Sequence, residues 1–265
     1  MAKISKKRGC LYAFLIGCAV FIALTIFLIF TVKDMLQVFD LSVKEFEEYV
    51  KMLNREVVES ELATDPVSNQ DFQTFKNKAI ASQFNIIDEH DNVNLNLVTI
   101  PIGSDITLTG YEVGAMLNSG FANSENYDTI KILQFSIIQT DFYQIKTVLK
   151  FDLTKIKTAV GQLASNLPNS LYITCESVAV ASTPQNPTSR LILTNSKCKI
   201  NKLSDEENEK IVNLLNKMTG EMDENLQFEN MSDQIIGEAL TKVAQAANCD
   251  LYLSNGSLTL KKITA

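Results

Sequence analysis

The longest apolar run of the chain lies near its start. Leu11–Val32 reads LYAFLIGCAVFIALTIFLIFTV and carries no charge. At about 1.5 Å of rise per residue, a helix of that length crosses roughly 30 Å of hydrocarbon, so the run predicts a membrane-spanning helix. Next, Leu36, Phe39, Val43, Phe46, Val50, Leu53 and Val57 recur at alternating spacings of 3 and 4, with charged residues between them. This predicts an amphipathic helix. Ser42-Val43-Lys44-Glu45 has the form of a capping box, so a separate helix is expected to begin at Ser42. The stripe has two uses. It can pack on the protein's own globular body. Alternatively, Phe39, Val43, Phe46, Val50, Leu53 and Val57 can pair copies of the chain, giving a homo-oligomer through residues 36–57.

Beyond Asp65-Pro66 the pattern alternates between the two periods. Phe72, Phe75, Ala79, Ile80 and Phe84 suggest a short helix, and Val93–Val98 a loose strand. Thr109-Gly110-Tyr111-Glu112 is a second capping box, opening a helix that Gly120 is expected to close. Ile130–Thr140 is apolar on both faces, as a central strand is, whereas Ile145–Phe151 alternates like a strand buried on one face. Asp141-Phe142-Tyr143 turns between them. Thr154–Asn166 looks helical. Leu171–Ala181 and Arg190–Leu203 form a hairpin around Thr183–Pro187. Centred between Asn186 and Pro187, it sets Cys175 opposite Cys198 and Ile173 opposite Ile200. Ser204–Glu207 is a third capping box; its helix carries Ile211, Leu214, Leu215 and Met218, and Gly220 stops it. Ser232 is expected to cap a last helix with Ile235, Ile236, Ala239, Leu240 and Val243 inward. Leu251–Leu260 reads as a hairpin on an Asn255-Gly256 type I′ turn, with Leu253 opposite Leu258 and Leu251 opposite Leu260.

The expected fold is therefore α+β: one N-terminal transmembrane helix, then an antiparallel-sheet ectodomain with helices packed on one side of a sheet. The segments are a basic tail (1–10), the transmembrane helix (11–32), a juxtamembrane amphipathic helix or stalk (33–59) and an α+β domain (60–265). Among 265 residues, 46% hydrophobic and 21% charged content supports a packed core, and ten glycines and five prolines exclude a collagen-like chain.

Charge is divided unevenly. Lys3, Lys6, Lys7 and Arg8 precede the apolar run with no acid among them. The other 20 of the 24 bases and all 31 acids follow it, leaving residues 33–265 at −11. The positive flank places the N-terminus in the cytoplasm and the body outside it. An acidic body without a basic patch argues against nucleic acid as a partner. Secretory h-regions are shorter and end at small residues, which Phe30-Thr31-Val32-Lys33 lacks. Leu15-Ile16-Gly17-Cys18 loosely matches a bacterial lipoprotein box, with Cys18 as the lipidated residue. Only Leu11–Gly17 would then serve as its apolar core, and mostly apolar residues follow.

In the body that follows the apolar run, the cysteines are Cys175, Cys198 and Cys249. Their hairpin register makes Cys175 and Cys198 candidates for a disulfide, which an oxidising location permits; the alternative is two reduced cysteines acting as small apolar residues. Cys249 stays unpaired either way.

Candidate chemistry is sparse. Asp88, Glu89, His90 and Asp91 form the one carboxylate–imidazole cluster. Consecutive loop residues point in different directions, so a solvated loop is the expected reading. No nucleophile elbow, P-loop or dinucleotide fingerprint occurs. No catalytic residue, cofactor or metal site is therefore assigned, and the expectation is a non-enzyme. Asn230-Met231-Ser232 and Asn255-Gly256-Ser257 match glycosylation acceptors, and each has a local explanation, a helix cap and a hairpin turn.

The basic N-terminus before one anchor, Leu108-Thr109-x-x-Glu112-Val113-x-x-Met116-Leu117-Asn118, Leu167-Pro168 before a strand, and the polar-capped helix after Ile200–Ser204 together resemble small bitopic bacterial envelope proteins of the YpmS type. The likeness covers about 108–215. It implies an extracytoplasmic domain without assigned catalysis and transfers no functional residue. The expected function is thus a single-pass, membrane-anchored binding, adaptor or scaffold protein of the cell envelope with a protein partner there. The alternative is an envelope domain that carries lipid or another hydrophobic ligand between strands such as Ile130–Ile138; an envelope hydrolase ranks behind both.

Overall fold

The computed structural model describes residues 42–94, 98–124, 128–155, 157, 167–220 and 228–262. The Leu11–Val32 run and most of the expected 154–166 helix lie outside them. Among the described residues, no helix is long and apolar enough to cross a membrane.

Capping boxes set where helices start. Helix α1 (Val43–Leu53) begins at Ser42, whose Oγ accepts from Glu45 N at 3.2 Å while Glu45 Oε2 accepts from Ser42 N at 2.8 Å. Ser68 and Asp71 do the same for α3 (Asn69–Ala81), which follows a single turn, α2 (Glu59–Leu62). Thr109 and Glu112 open α4 (Gly110–Ala122). Each box satisfies backbone N–H groups that a helix start leaves without partners. Gly120 does not end α4. It is buried inside the helix, which runs on to Ala122 and closes on Asn123.

Two antiparallel sheets form, not one. Strands β2 (Ile130–Gln139), β3 (Tyr143–Asp152), β4 (Ser170–Val180) and β5 (Ile192–Ile200) pair in that order. Strand β1 (Asp105–Thr109) pairs with β7 (Ser257–Lys262), which pairs with β6 (Cys249–Ser254). A two-stranded hairpin is marginal by itself, so the C-terminal pair recruits β1 as a third strand. The five residues of β1 run directly into the Thr109 capping box and give no separate strand signal. The expected 93–98 strand is replaced by isolated bridges, Asn85 with Thr99 and Ile87 with Val93; residues 95–97 lie outside the description.

Helix α4 joins the layers. Val113, Met116, Leu117 and Phe121 are fully buried. The helix packs on β2 and on α3. Its start lies so close to β2 that a Cβ on Gly110 would run into the Phe135 carbonyl oxygen. The doubly apolar β2 is an edge strand, not the central strand its pattern suggested, and its second apolar face has a local cause. A bulge between Ile132 and Gln134 inserts Leu133, which joins Ala63 and Val148 in a small cluster, while Ile132, Phe135 and Ile137 face the main core.

The C-terminal part corrects two further expectations. Ser232 is not a helix cap: its φ −63°, ψ −43° are already helical, it makes no capping bond, and it is fully buried. A 3₁₀ turn (Phe228–Asn230) and a π turn (Asp233–Gly237) lead into α6 (Glu238–Ala247), after α5 (Asp205–Gly220). The 255–256 turn is not type I′ either. Only Gly256 has a positive φ, 78°, the pattern of a type II turn, because a glycine suffices at the second position.

Candidate functional site

The site is built on β5, an edge strand of the four-stranded sheet. Lys197 sits opposite Glu176 but Thr194 opposite Val178, so β5 holds one extra residue. Asn195 absorbs this bulge at φ 50°, a left-handed conformation that asparagine tolerates. The Oγ atoms of Ser177 and Ser196 bond across it at 2.7 Å.

After β5 the chain turns at Asn201 and folds back as α5. Ser204 N donates to Glu207 Oε2 at 2.9 Å, and Glu207 N to Ser204 Oγ at 3.3 Å, which starts the helix. One helical turn on, Asn208 reaches the strand edge. Its Nδ2 donates to Cys198 O at 2.9 Å and its Oδ1 accepts from Ile200 N at 2.8 Å. The asparagine amide thus stands where a neighbouring strand would. Farther along the edge, Asp233 Oδ1 accepts from Leu193 N at 2.7 Å and Thr241 Oγ1 from Leu191 N at 3.0 Å.

Between β5, α5 and the 3₁₀ turn lies an open groove of about 300 Å³. Lys197, Lys199, Asp205 and Glu209 are its exposed rim, while Cys198, Val212 and Phe228 form the inner wall. Lys199 bonds Asp205 and holds that carboxyl below its ordinary range. Beside the groove, Arg55 makes a bidentate pair with Glu207, at 2.5 and 2.9 Å. That guanidinium, helped by the Ser204 N–H, holds the Glu207 carboxyl down at about 2. The groove therefore presents two bases on its β5 side and two acids on its α5 side over an apolar wall.

Cys175 and Cys198 are joined by a disulfide, with Cα atoms 4.1 Å apart. Cys175 is fully buried, and Cys198 is the half that reaches the groove. Cys249 is free and buried, and burial pushes its thiol up to about 11.

The amphipathic stripe is divided. Leu53 is buried, and Val50 packs against the main core together with Tyr49 and Met52. Helix α1 ends at Leu53, so half-buried Val57 follows it in extended chain. Phe39 and the side chains of Val43 and Phe46 lie outside the description. Asn201 Nδ2 donates to Leu53 O at 3.0 Å, which, with the Arg55–Glu207 pair, seats this end of α1 on the body.

The 88–91 loop is not brought to the groove. Asp88 Oδ1 accepts from the N–H groups of His90 and Asn92, both at 2.9 Å, and these bonds, that of Asn92 first, lower its carboxyl. His90 and Glu89 are exposed. Among the described residues, no group of three His, Cys, Asp or Glu could hold a metal ion. The strand-edge residues Asn118, Asn208 and Asp233 escaped the sequence reading, because an amide or carboxylate on a helix gives no sign of which distant strand it meets. Comparison with known proteins found no matching family model, no matching curated protein and no matching solved structure.

Proposed function

We propose that this chain is a single-pass envelope protein, N-terminus in the cytoplasm, whose extracytoplasmic α+β body binds a protein partner as an adaptor or scaffold, without catalysis. The observation that carries the reading is the Cys175–Cys198 disulfide. Structural disulfides persist in oxidising compartments, the side on which the charge asymmetry around Leu11–Val32 would put the body. The charged groove at β5 supports the binding role, because its rim offers both signs of charge to a polar partner surface. One anchor would confine the body to two dimensions and raise its effective concentration near membrane partners.

Two fusions at the C-terminus test the placement. Alkaline phosphatase, which matures only outside the cytoplasm, should be active; a fluorescent reporter that matures only inside should be dark. The reverse pattern defeats the proposal. Crosslinking in intact membranes, with wild type beside a Lys199→Glu/Glu209→Lys pair, tests binding. A partner captured equally by both does not use the groove.

A further inference from the structure

One end of the body differs from the rest in charge and in exposed apolar surface. Three connections meet there: the β2–β3 turn, the β4–β5 loop and the β6–β7 turn. They are bonded into one surface. Gly256 N donates to Ile137 O at 3.1 Å, Leu251 N to Thr188 O at 3.0 Å and Ser182 N to Leu251 O at 2.8 Å. Within an acidic body, residues 138–144 contain one charge, Asp141, residues 178–194 contain one, Arg190, and residues 254–257 contain none. Four of the seven exposed large hydrophobic residues among those described gather here: Ile138, Phe142, Val180 and Ile192, 41–52% exposed. Val180 and Ile192 are cross-strand partners, and the strand register puts Ile138 on the same outward face.

What covers this end follows from tether length and charge. Nine residues separate Val32 from Ser42 and span at most about 30 Å. A body of this size has a radius of gyration of about 17 Å. A chain anchored through Leu11–Val32 therefore keeps Ser42, and the body with it, within about 30 Å of the bilayer. Most of the surface carries net negative charge and is repelled by anionic lipid. The three connections carry only Asp141 and Arg190, with Asp233 packed at Leu193, so this end is repelled least, and its apolar side chains gain by entering the headgroup boundary.

We propose that this charge-poor end rests on the same bilayer that the anchor spans, with Phe142 at the deepest point and Ile138, Val180 and Ile192 beside it. The proposal rests on the anchoring reading above.

The chain has no tryptophan, so Phe142→Trp in the full chain is a unique reporter. Ile102→Trp is the control: it is 75% exposed and lies just before β1, whose start pairs with Lys261, away from the Gly256 turn. Both are reconstituted into phosphatidylethanolamine–phosphatidylglycerol vesicles with and without acyl-brominated lipid. Because interfacial side chains sit roughly 5–10 Å into the boundary, bromine should remove about half of the Phe142→Trp emission and little of the control's. Equal quenching of the two, or none, overturns the proposal. So does a blue-shifted Phe142→Trp emission that bromine leaves intact, because protein would then cover the face. An alkaline carbonate wash separates the readings. Protein released by the wash defeats the anchoring and this inference together. Protein retained with Phe142→Trp unquenched defeats this inference alone.

Discussion

The side chain of Asn118 on α4 does for β2 what Asn208 does for β5. Its Nδ2 donates to Ile132 O at 2.8 Å and its Oδ1 accepts from Ile132 N at 2.6 Å. Asn118→Ala leaves both backbone groups without partners. Each buried orphan costs about 1–3 kcal/mol. Ile132 is fully buried but Asn118 only half, so some water enters, and the lower part of the range applies: about 2–3 kcal/mol for the pair. Alanine returns roughly 0.5 kcal/mol through helix propensity. The net loss is about 2 kcal/mol, or about 4–8 °C in Tm for a body of this size. Asn208→Ala removes the same two bonds where the groove is open. Water replaces them there, and with the same propensity gain the loss stays below about 1 kcal/mol. Thermal and urea unfolding of the full chain in detergent, followed by far-ultraviolet circular dichroism, compares the two. Equal losses, or an Asn118→Ala loss under about 0.5 kcal/mol, would refute the view that these amides substitute for a missing strand. Asn118→Asp adds a pH check. A carboxylate opposes the Ile132 carbonyl at pH 7, whereas its protonated form donates to it, so this variant should regain stability on acidification.

Three further outcomes are expected. Replacing both Cys175 and Cys198 by alanine opens a loop of sequence separation 23, and loop-closure entropy puts the loss at about 3 kcal/mol, read as a lower urea midpoint. Asp233 is half-buried, and that burial, opposed by the Leu193 N–H bond, raises its carboxyl pKa from 3.8. A raised carboxyl pKa penalises the folded state above the folded value, and the penalty disappears below the unfolded value. Asp233→Asn keeps the acceptor for Leu193 N, so melting curves should show it gaining on wild type as pH rises from about 4 to 8; a constant difference contradicts the assignment. Finally, with its thiol pushed up to about 11, Cys249 should resist iodoacetamide at pH 8 in the folded chain and label fully in urea, by peptide mass mapping. Rapid native labelling would mean that the 247–249 region opens.

Local rules made part of the fold readable. The capping boxes at Ser42, Thr109 and Ser204 mark helix starts because each draws its partner from three residues away. The hairpin registers are readable too: Cys175 stands opposite Cys198, and Leu251 opposite Leu260. A one-residue slip there would turn a whole apolar row to solvent. What the sequence hides is long-range. Nothing in Asp105–Thr109 says that its partner lies about 150 residues on in β7, so one sheet was expected where two exist. The apolar doubling of β2 reads as a central strand, with a cavity wall as the rival, yet β2 is an edge strand whose bulge turns Leu133 onto Ala63 and Val148. At the groove, the cysteines and the charged ends of β5 and α5 were visible, but not their meeting, which depends on how α5 folds back.

The closed edges bear on how such a body would bind. An open strand edge invites pairing with any extended chain, and confinement to a membrane would multiply such encounters. Here the edge groups of β5 at Leu191, Leu193, Cys198 and Ile200 are taken by Thr241, Asp233 and Asn208, and those of β2 at Ile132, Leu133 and Ile137 by Asn118, Val67 and Gly256. Side chains and turns, not strands, do the closing, so each edge ends without offering its row of amides onward. A partner at the proposed β5 groove would then meet the Lys197, Lys199, Asp205 and Glu209 side chains first, and recognition would rest on charge pattern, which is selective, more than on backbone pairing, which is not. Asn208→Ala separates these two modes. It uncovers Cys198 O and Ile200 N without altering the rim charges, so partner capture should hold while self-association of the chain rises, measured by crosslinking in vesicles. Loss of capture with no rise in self-association would mean that the amide itself is part of the recognised surface.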